Sequence, residues 1–198
     1  MSYATAPLNP KYIHTSGHAA HPDQHHALAD LIEGCRRQDR LCQEKLYMLY
    51  FDRMLGIIRR YTSDQDAAIS ILNNGFLRAF RKIAQFGHKG SFEGWLRQII
   101  IHAAADYFRE HKAGFSSDLP EQAPAPQASP MEYKELLQVL ERLPSATRVV
   151  INLFIIEGYT HREIAAMLGI STGTSKWHVA EGRRLLKDML HIQSSSLK

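Results

Sequence analysis

Cysteine is scarce in this sequence, which contains only Cys35 and Cys42. Two thiols at this spacing, on a segment with helical periodicity, make neither a disulfide framework nor a zinc site. Apolar runs long enough to span a membrane are also missing, because the best candidate, residues 149–156, is short and contains Asn152. The N-terminus lacks the charged and then apolar order of a signal peptide. We therefore expect a soluble protein in a reducing cytoplasm.

Motifs of enzymatic chemistry are absent as well, since the sequence has no P-loop and no nucleophile elbow. The N-terminal stretch is rich in histidine, which leaves a metal-dependent hydrolase as a formal alternative. No cysteine or carboxylate cluster completes a metal ligand shell there, so we favour a flexible tail. We predict no metal, no cofactor and no enzymatic activity. The histidines concerned are His14, His18, His21, His25 and His26.

Strand-like alternation is absent, and apolar residues recur at helical spacing on both sides of one proline-rich segment. This segment, residues 113–130, has four prolines with alanine, serine and glutamine between them, a composition typical of an extended linker. The predicted fold is all-α, with two small helical domains joined by a flexible linker. The predicted ranges are a disordered tail over 1–25, a helical domain over 26–112, the linker over 113–130, a helix-turn-helix domain over 131–190 and a tail over 191–198.

In the first domain, the apolar spacing predicts a long second helix with Leu49 among its inward side chains. Ser63 and Asp66 form an S-x-x-D signal for the start of the third helix. Gly75 inside that helix costs about 1 kcal/mol relative to alanine, so close packing must compensate for it. Ser91 follows a glycine-containing loop and is predicted to cap a fourth helix.

The C-terminal run GYTHREIAAMLGISTGTSKWHVAEGRRLLKDML carries the strongest local signals. Thr160 and Glu163 form a capping box at the start of one helix, and Gly169 suits the left-handed cap at its end. Ser171 can cap a second helix that begins near Thr172 and carries basic residues on its outer face. A turn this short predicts a helix-turn-helix, with a plain helical hairpin as the alternative. The net charge of +4 also suits an anionic partner.

Several stretches in this order resemble one family. They are GSFEGWLRQIIIHAAADYFR in the first domain, the proline-rich linker, and LERLPSATRVVINLFIIEGYTHREIAAMLGIS in the second domain. The arrangement, over about residues 26–190, is similar to the bacterial RNA polymerase sigma factors of the extracytoplasmic-function group, in the sigma-70 family. Its most specific pieces are Ser91-Phe92 with Trp95-Leu96, the Asp106 and Arg109 pair, Leu143-Pro144, and the run GYT-x-x-EIA-x-x-LGIS-x-GT-x-K.

The resemblance implies a protein that binds core RNA polymerase, directs it to promoters and helps to melt the DNA. The first domain would correspond to region two, which docks on the polymerase and reads the minus-ten element as an unpaired strand. The second would correspond to region four, whose helix-turn-helix reads the minus-thirty-five element as duplex. Core RNA polymerase and promoter DNA are the implied partners, and an anti-sigma factor is a further candidate. A stand-alone helix-turn-helix transcriptional regulator is the alternative.

A recognition helix that begins near Thr172 presents its first turns to the major groove, where polar and basic side chains meet base edges or phosphates. Arg183 matches an arginine of the family, whereas Arg184 stays open between a DNA contact and a solvated surface charge. Trp177 is expected to be partly buried against the preceding helix. The expected minus-thirty-five contacts are Thr172, Thr174, Ser175, Lys176, His178, Arg183 and Arg184.

The loop over residues 86–91 is where the resemblance places the capture of a flipped base, with Phe86 and His88 as stacking groups and Lys89 at a phosphate. On the helix that follows, polar and charged residues recur at helical spacing and are expected to follow the strand. Trp95 is expected in the core rather than as a DNA wedge. The expected minus-ten contacts are Phe86, His88, Lys89, Ser91, Arg97, His102, Asp106, Arg109 and Lys112.

Polymerase docking is expected on the third helix, where the family commonly carries acidic residues and a glutamine. Asn73 and Asn74 keep hydrogen-bonding capacity there without charge, so docking is expected to be weaker or to depend more on apolar contacts. The expected docking residues are Asn73, Asn74, Leu77 and Arg78.

Overall fold

The structure of the protein is a computed structural model that describes residues 22–87, 90–111 and 138–195. Every regular element in these ranges is helical, which confirms the predicted all-α class. None of the helices so described is long and apolar enough to cross a bilayer. The predicted linker over 113–130 lies outside these ranges, as does the predicted tail over its first 21 residues.

The N-terminal domain, as the structure describes it, is an assembly of long helices. Its elements are α1 (Pro22–Arg36), α2 (Arg40–Ile58), α3 (Gln65–Lys82), a 3-10 turn (Ile83–Gln85) and α4 (Phe92–His111). The first helix begins at Pro22, earlier than the predicted domain start, because the fixed φ of proline suits the first turn of a helix.

Side-chain caps set where α3 and α4 begin. Asp64, and not the predicted Ser63, caps α3, and its carboxylate accepts a hydrogen bond from the Ala67 amide at 3.1 Å. The carboxylate of Asp64 is one residue closer to the first turn than the Ser63 hydroxyl, so it reaches the free amides there. Ser91 caps α4 as predicted, because its Oγ accepts from the Gly94 amide at 3.1 Å.

The core of this domain is packed closely where α3 meets α4. Gly75 lies against Ile100, and a β-carbon at this glycine would overlap the Ile100 side chain. This approach is the packing compensation predicted for a glycine inside a helix. The prediction for Leu49 is wrong, because its side chain is exposed and α2 turns the face with Leu46 and Tyr50 inward.

The C-terminal domain contains the predicted pair of helices around a short turn. Residues 138–141 are helical, and the elements that follow are α5 (Ser145–Ile151), a π-helical turn (Asn152–Ile156), α6 (His161–Leu168) and α7 (Thr172–Ser195). The last of these extends beyond the predicted domain end at residue 190, because the helical hydrogen bonding continues without a glycine or proline to interrupt it.

The π-helical turn widens the chain directly before Glu157. The Glu157 amide donates to the Asn152 carbonyl at 2.9 Å, and the Tyr159 amide donates to the Leu153 carbonyl at 3.0 Å. Gly158, which follows Glu157, has a φ of 67°. A non-glycine residue would be strained in this left-handed region.

The two domains lie in contact, mainly through α4 and α6. Buried apolar side chains of α4 belong to the same cluster as Tyr159, Ile164 and Met167 of the C-terminal domain. Polar contacts cross the same boundary, including an ion pair of 3.0 Å between Arg60 and Glu157. Two helical domains are present as predicted, but the larger apolar cluster extends across both of them, and a smaller cluster around Leu140, Leu143 and Ile151 lies within the C-terminal domain.

Candidate nucleic-acid interface

The helix-turn-helix has the capping interactions that its sequence predicts. The Thr160 hydroxyl accepts from the Glu163 amide at 3.3 Å, while the Glu163 carboxylate accepts from the Thr160 amide at 2.7 Å. Gly169 ends α6 with a φ of 67°, in the left-handed region. Ser171 Oγ accepts from the Thr174 amide at 2.9 Å and so caps α7. The predicted capping box and the glycine turn are confirmed, and they fix how α7 leaves α6.

The outer face of α7 is basic. Thr172, Lys176, Arg183 and Arg184 are exposed, and Thr174 is half-buried. A helix that presents this set of side chains beside a short turn has the shape and charge that the major groove of B-DNA accepts.

Two of the expected contacts, Ser175 and His178, lie inside the domain instead. Ser175 Oγ is 3.0 Å from His161 Nδ1 of α6, and His178 Nδ1 is 3.0 Å from Thr147 Oγ1 of α5. Both side chains are buried. Their hydrogen bonds anchor α7 to the two helices behind it, so we withdraw them as direct DNA contacts.

Trp177 also differs from its prediction. Its side chain is 48% exposed, and its ring meets that of His178 edge to face at 4.9 Å. A large aromatic ring left half in solvent beside a basic helix face can pack on a sugar or a base.

Sequence reasoning missed an aromatic and basic cluster at the start of α6. The His161 ring stacks on the Phe154 ring, with centroids 4.4 Å apart and planes 14° from parallel. The pKa of His161 is lowered by burial and by the positive charges of Lys176 and Arg183. Lys176 and Arg183 of α7 therefore lie near enough to His161 for their positive charges to act on it. The Thr160 cap, which places His161 at the first helical position, was the available signal.

Arg184 has a different environment from the other basic residues of α7. Its guanidinium pairs with Glu181 at 2.7 Å and with Asp188 at 2.8 Å, one turn to either side. The pKa of Glu181 is lowered, first by its hydrogen bond with Arg184. These carboxylates compete with a phosphate for the guanidinium, which favours the surface-charge interpretation of Arg184.

Phe86, an expected stacking group, lies in the core of the N-terminal domain. Its ring meets Phe92 edge to face at 5.3 Å and lies 5.5 Å from the Trp95 ring. Trp95, expected in the core, is partly buried and packs against it. A ring buried in this way is not available to a flipped base, so we withdraw Phe86 as a contact. His88, Lys89 and Lys112, three more of the expected contacts, lie outside the described residues.

The expected minus-ten residues of α4 face the C-terminal domain. Arg97 Nη2 donates to Glu157 at 2.8 Å, and Arg109 Nη1 donates to the Met167 carbonyl at 3.1 Å. The His102 ring lies 6.1 Å from the Tyr159 ring, edge to face. These residues of α4 therefore form one surface, as helical spacing predicts, and in this structure the C-terminal domain partly covers it.

The remaining member of that stripe, Asp106, joins two arginines. Its carboxylate pairs with Arg109 at 2.6 Å and also with Arg78 of α3. The pKa of His102 nearby is lowered, mainly by its burial. Asp106 raises this pKa, whereas the positive charges of Lys82 and Arg78 lower it further. Asp106 thus orients two arginines, and does so without needing a direct contact with DNA.

The expected docking residues of α3 form a polar edge with an apolar centre. The Tyr47 hydroxyl donates to Asn73 Oδ1 at 2.9 Å, and Arg78 Nε donates to Asn74 Oδ1 at 2.8 Å. Leu77 between them is 56% exposed. Next to Tyr47 in the chain, Met48 and Leu49 are also exposed. Leu77 and its hydrogen-bonding neighbours have the apolar centre and polar rim that are typical of a protein interaction surface.

No group of three or more histidine, cysteine or carboxylate side chains is arranged to hold a metal within the described part of the chain. The histidine-rich stretch itself, from His14 to His21, lies outside that part.

Two family models match the chain, one in each domain. The model described as sigma-70 region 2 matches residues 46–114, and the model described as sigma-70, region 4 matches residues 133–186. The first match contains α3 and α4, and the second contains the helix-turn-helix.

Sigma factors of several other bacteria are similar to most of this chain. The probable RNA polymerase sigma factor RfaY of Xanthomonas campestris pv. campestris is 28% identical, over 84% of this chain and 44% of its own length. The ECF RNA polymerase sigma factor SigE of Mycolicibacterium smegmatis is 30% identical, over 77% of this chain and 63% of its own. The ECF sigma factor SigM of Mycobacterium tuberculosis is 26% identical, over 82% and 84% respectively. The chain thus spans less than two thirds of the length of the first two relatives.

Two solved structures of protein complexes contain a chain that is similar to this one. CnrH in complex with the cytosolic domain of CnrY is 18% identical, with a TM-score of 0.44 over 82% of this chain and 96% of that one. RpoE of Bartonella quintana, in complex with the anti-sigma factor NepR, is 19% identical, with a TM-score of 0.44 over 75% and 96%.

Region 2 and region 4 of one family follow each other along this chain, at the places where the structure has a helical domain and a capped helix-turn-helix. The chain therefore belongs to the sigma-70 family, as a member of its extracytoplasmic-function group.

Proposed function

We propose that this protein is a promoter-recognition subunit that binds core RNA polymerase and starts transcription at a defined set of promoters. The observation that carries the proposal is the presence of both sigma-70 regions in one chain. A chain with region 4 alone could bind DNA, but region 2 is needed only where polymerase is docked and DNA is opened. The function is non-enzymatic, and its place of action is the cytoplasm.

The C-terminal domain reads the minus-thirty-five element as duplex. Helix α7 enters the major groove, so that Thr172 and Lys176 of its first turns reach base edges or phosphates. Arg183, further along the exposed face, contacts a base or a phosphate. Thr174 adds a weaker polar contact, and Ser175 and His178 hold the helix in place from behind.

The N-terminal domain binds the minus-ten element as an unpaired strand. Arg97 and Arg109 of α4 supply charge for the phosphates, and His102 supplies a polar ring beside them. The loop with His88 and Lys89 receives the base that leaves the stack, a step that costs a few kcal/mol and needs compensating contacts. Asp106 positions Arg109, and Ser91 shapes the end of the loop.

Polymerase docks on α3 and the adjoining face of α2. Leu77 supplies apolar contact, and Asn73, Asn74 and Arg78 surround it with hydrogen-bonding groups. An anti-sigma factor is a second candidate partner, since NepR, a protein of that class, binds RpoE of Bartonella quintana.

The alternative is a regulator that binds DNA alone through its helix-turn-helix. Copurification separates the two functions, because only a sigma factor remains with core RNA polymerase through size exclusion. Binding to promoter DNA that is equally strong with and without polymerase would favour the regulator.

The decisive experiment is run-off transcription with core polymerase on a genomic library, followed by permanganate footprinting on the promoters found. Lys176→Ala is expected to weaken the closed complex. His88→Ala and Lys89→Ala are expected to spare the closed complex and reduce unpaired thymines. A premelted template should rescue a defect in opening, and not a lost contact with the opened strand. Equal losses of duplex binding and opening in the loop variants would contradict the assignment of two domains to two DNA states.

A further inference from the structure

We propose that the free protein is autoinhibited by a contact between its two domains, in which Glu157 of the C-terminal domain holds Arg60 and Arg97 of the N-terminal domain. We call this contact the Glu157 latch. The existence of the latch depends only on the conformation of the protein. Its inhibitory effect rests on the function proposed above.

The Glu157 carboxylate is fully buried and uses both of its oxygens. Oε1 accepts from Arg60 Nη2 at 3.0 Å, and Oε2 accepts from Arg97 Nη2 at 2.8 Å. A buried carboxylate is stable only when its charge is compensated and its lone pairs are bonded. Both compensating charges come from the other domain, so separation of the domains must also hydrate Glu157.

The backbone around Glu157 is built for this contact. The π-helical turn over Asn152–Ile156 brings Asn152 to the same place, where its Nδ2 donates to the Arg60 carbonyl at 2.9 Å. Arg60 is therefore held at its guanidinium by Glu157 and at its main chain by Asn152. Single π-helical turns are rare in proteins overall, and many of those that occur lie at functional sites.

The latch closes the C-terminal domain over the surface that is proposed to bind the minus-ten strand. Arg97 is bonded to Glu157, and Arg109 is bonded to the Met167 carbonyl. His102 lies against the Tyr159 ring. A DNA strand and the C-terminal domain cannot occupy this face of α4 together, so closed protein is unable to engage the unpaired strand.

This exclusion makes opening a requirement for activity. A ligand that binds only the open form has an apparent affinity reduced in proportion to the open fraction. The unpaired promoter strand therefore has to compete with the latch for the α4 surface, whereas the basic face of α7 stays exposed in the closed form.

The first test is the distance between the domains in the full chain. Fluorophores are attached through noncanonical residues at Asp52 of α2 and Lys187 of α7, which are both exposed. Glu157→Gln is expected to lower the energy-transfer efficiency clearly. Arg60→Gln removes one of the two arginine partners of the same carboxylate, and this change lies in the other domain. It therefore tests the latch if Glu157→Gln impairs folding. Glu93→Gln removes an exposed ion pair of 2.8 Å with Arg53, inside the N-terminal domain, and should leave the efficiency unchanged.

The second test is transcription with core polymerase at limiting concentrations of each protein. Glu157→Gln and Arg60→Gln are expected to yield several-fold more transcript than the wild-type chain and Glu93→Gln. Unchanged energy transfer in both latch variants would overturn the latch. Lower energy transfer without a gain in transcription would overturn its inhibitory role. A wild-type chain that supports no promoter-specific transcript at any concentration would instead overturn the proposed function, and the distance measurement would still decide the latch.

Discussion

The guanidinium of Arg183 lies over the ring of Phe154, 5.7 Å from the ring centroid. His161 stacks on the same ring at 4.4 Å. The aromatic face holds the cation near the surface without using its in-plane N–H donors, which stay available to an acceptor on DNA. Arg184, the next residue, is instead paired with Glu181 and Asp188. Two neighbouring arginines are thus prepared for different roles.

Arg183→Ala is expected to weaken binding of the holoenzyme to duplex promoter DNA by about 1–3 kcal/mol if the residue reads a base. Arg184→Ala is expected to cost clearly less, because its charge is already shared with two carboxylates. The measurement is fluorescence anisotropy on labelled duplex, with systematic substitutions in the minus-thirty-five element. Lys187→Ala, an exposed cation on the same helix, is the control.

The salt dependence of the same binding separates a base contact from a phosphate contact. Loss of a phosphate contact weakens all sequences alike and reduces the salt slope by about one unit. Loss of a base contact changes the preference at one position. A greater loss for Arg184→Ala than for Arg183→Ala would contradict the division of roles seen around Phe154.

Gly75→Ala is expected to destabilise the N-terminal domain by about 1–3 kcal/mol, because a β-carbon there overlaps the Ile100 side chain. Gly56→Ala is the matched control, since nothing lies within 4 Å of a β-carbon at that helical position. It is expected to stabilise the protein by about 0.5–1 kcal/mol. Urea unfolding followed by circular dichroism measures both. Similar effects of the two changes would show that packing against Ile100 does not decide the fit of Gly75.

The helix-turn-helix could be predicted from sequence because its signals are local. The Thr160 and Glu163 capping box and the Gly169 cap each act within one helical turn. The inward role of Ser175 was also accessible, because Ser175, Val179 and Gly182 share one face at helical spacing. The prediction that Ser175 contacts DNA was wrong because it rested on the polarity of the side chain and not on its position around the helix.

The contact between the domains could not be read from the sequence. Glu157 is 97 residues from Arg60 and 60 residues from Arg97 in the chain. A single acidic residue between apolar neighbours forms no periodic pattern, so the sequence does not indicate which residues it pairs with. Its position also depends on the π-helical turn, whose residues have an ordinary helical pattern. The proline-rich composition between the domains predicted that they are separate in sequence. It did not indicate whether they contact each other in the folded protein.

Leu77→Ser is expected to reduce the affinity for core polymerase by about tenfold, which corresponds to about 1.4 kcal/mol. The reason is that Leu77 is the exposed apolar side chain among the polar residues of the proposed docking surface. Surface plasmon resonance with immobilised core polymerase measures the effect. Leu41→Ser is the control, because Leu41 is exposed in the first turn of α2 and outside that set. Equal losses from both changes would indicate general stickiness rather than a docking site.

The stability of the C-terminal domain is expected to fall in mild acid because of His178. Burial lowers the pKa of His178 below its usual value near 6.5. Well above pH 6.5 the imidazole is neutral in both the folded and unfolded chain, so it adds no pH dependence there. As the pH falls below 6.5, the unfolded chain binds the proton first, and the free energy of unfolding decreases until the folded pKa is passed. The lowered pKa of His102 and His161 acts in the same direction.

His178→Gln should therefore flatten the dependence of unfolding free energy on pH between 7.5 and 5.5, whatever it does to the stability at pH 7.5. The amide keeps a hydrogen-bonding group near Thr147 Oγ1, which is 3.0 Å from the native ring nitrogen, and it does not titrate. His161→Gln is the matched change at a less buried imidazole, so its effect on the slope should be smaller. Urea titrations at four pH values, followed by circular dichroism, give the slopes. A wild-type slope retained in full by His178→Gln would mean that the buried imidazole takes up its proton as readily in the folded chain as in the unfolded one.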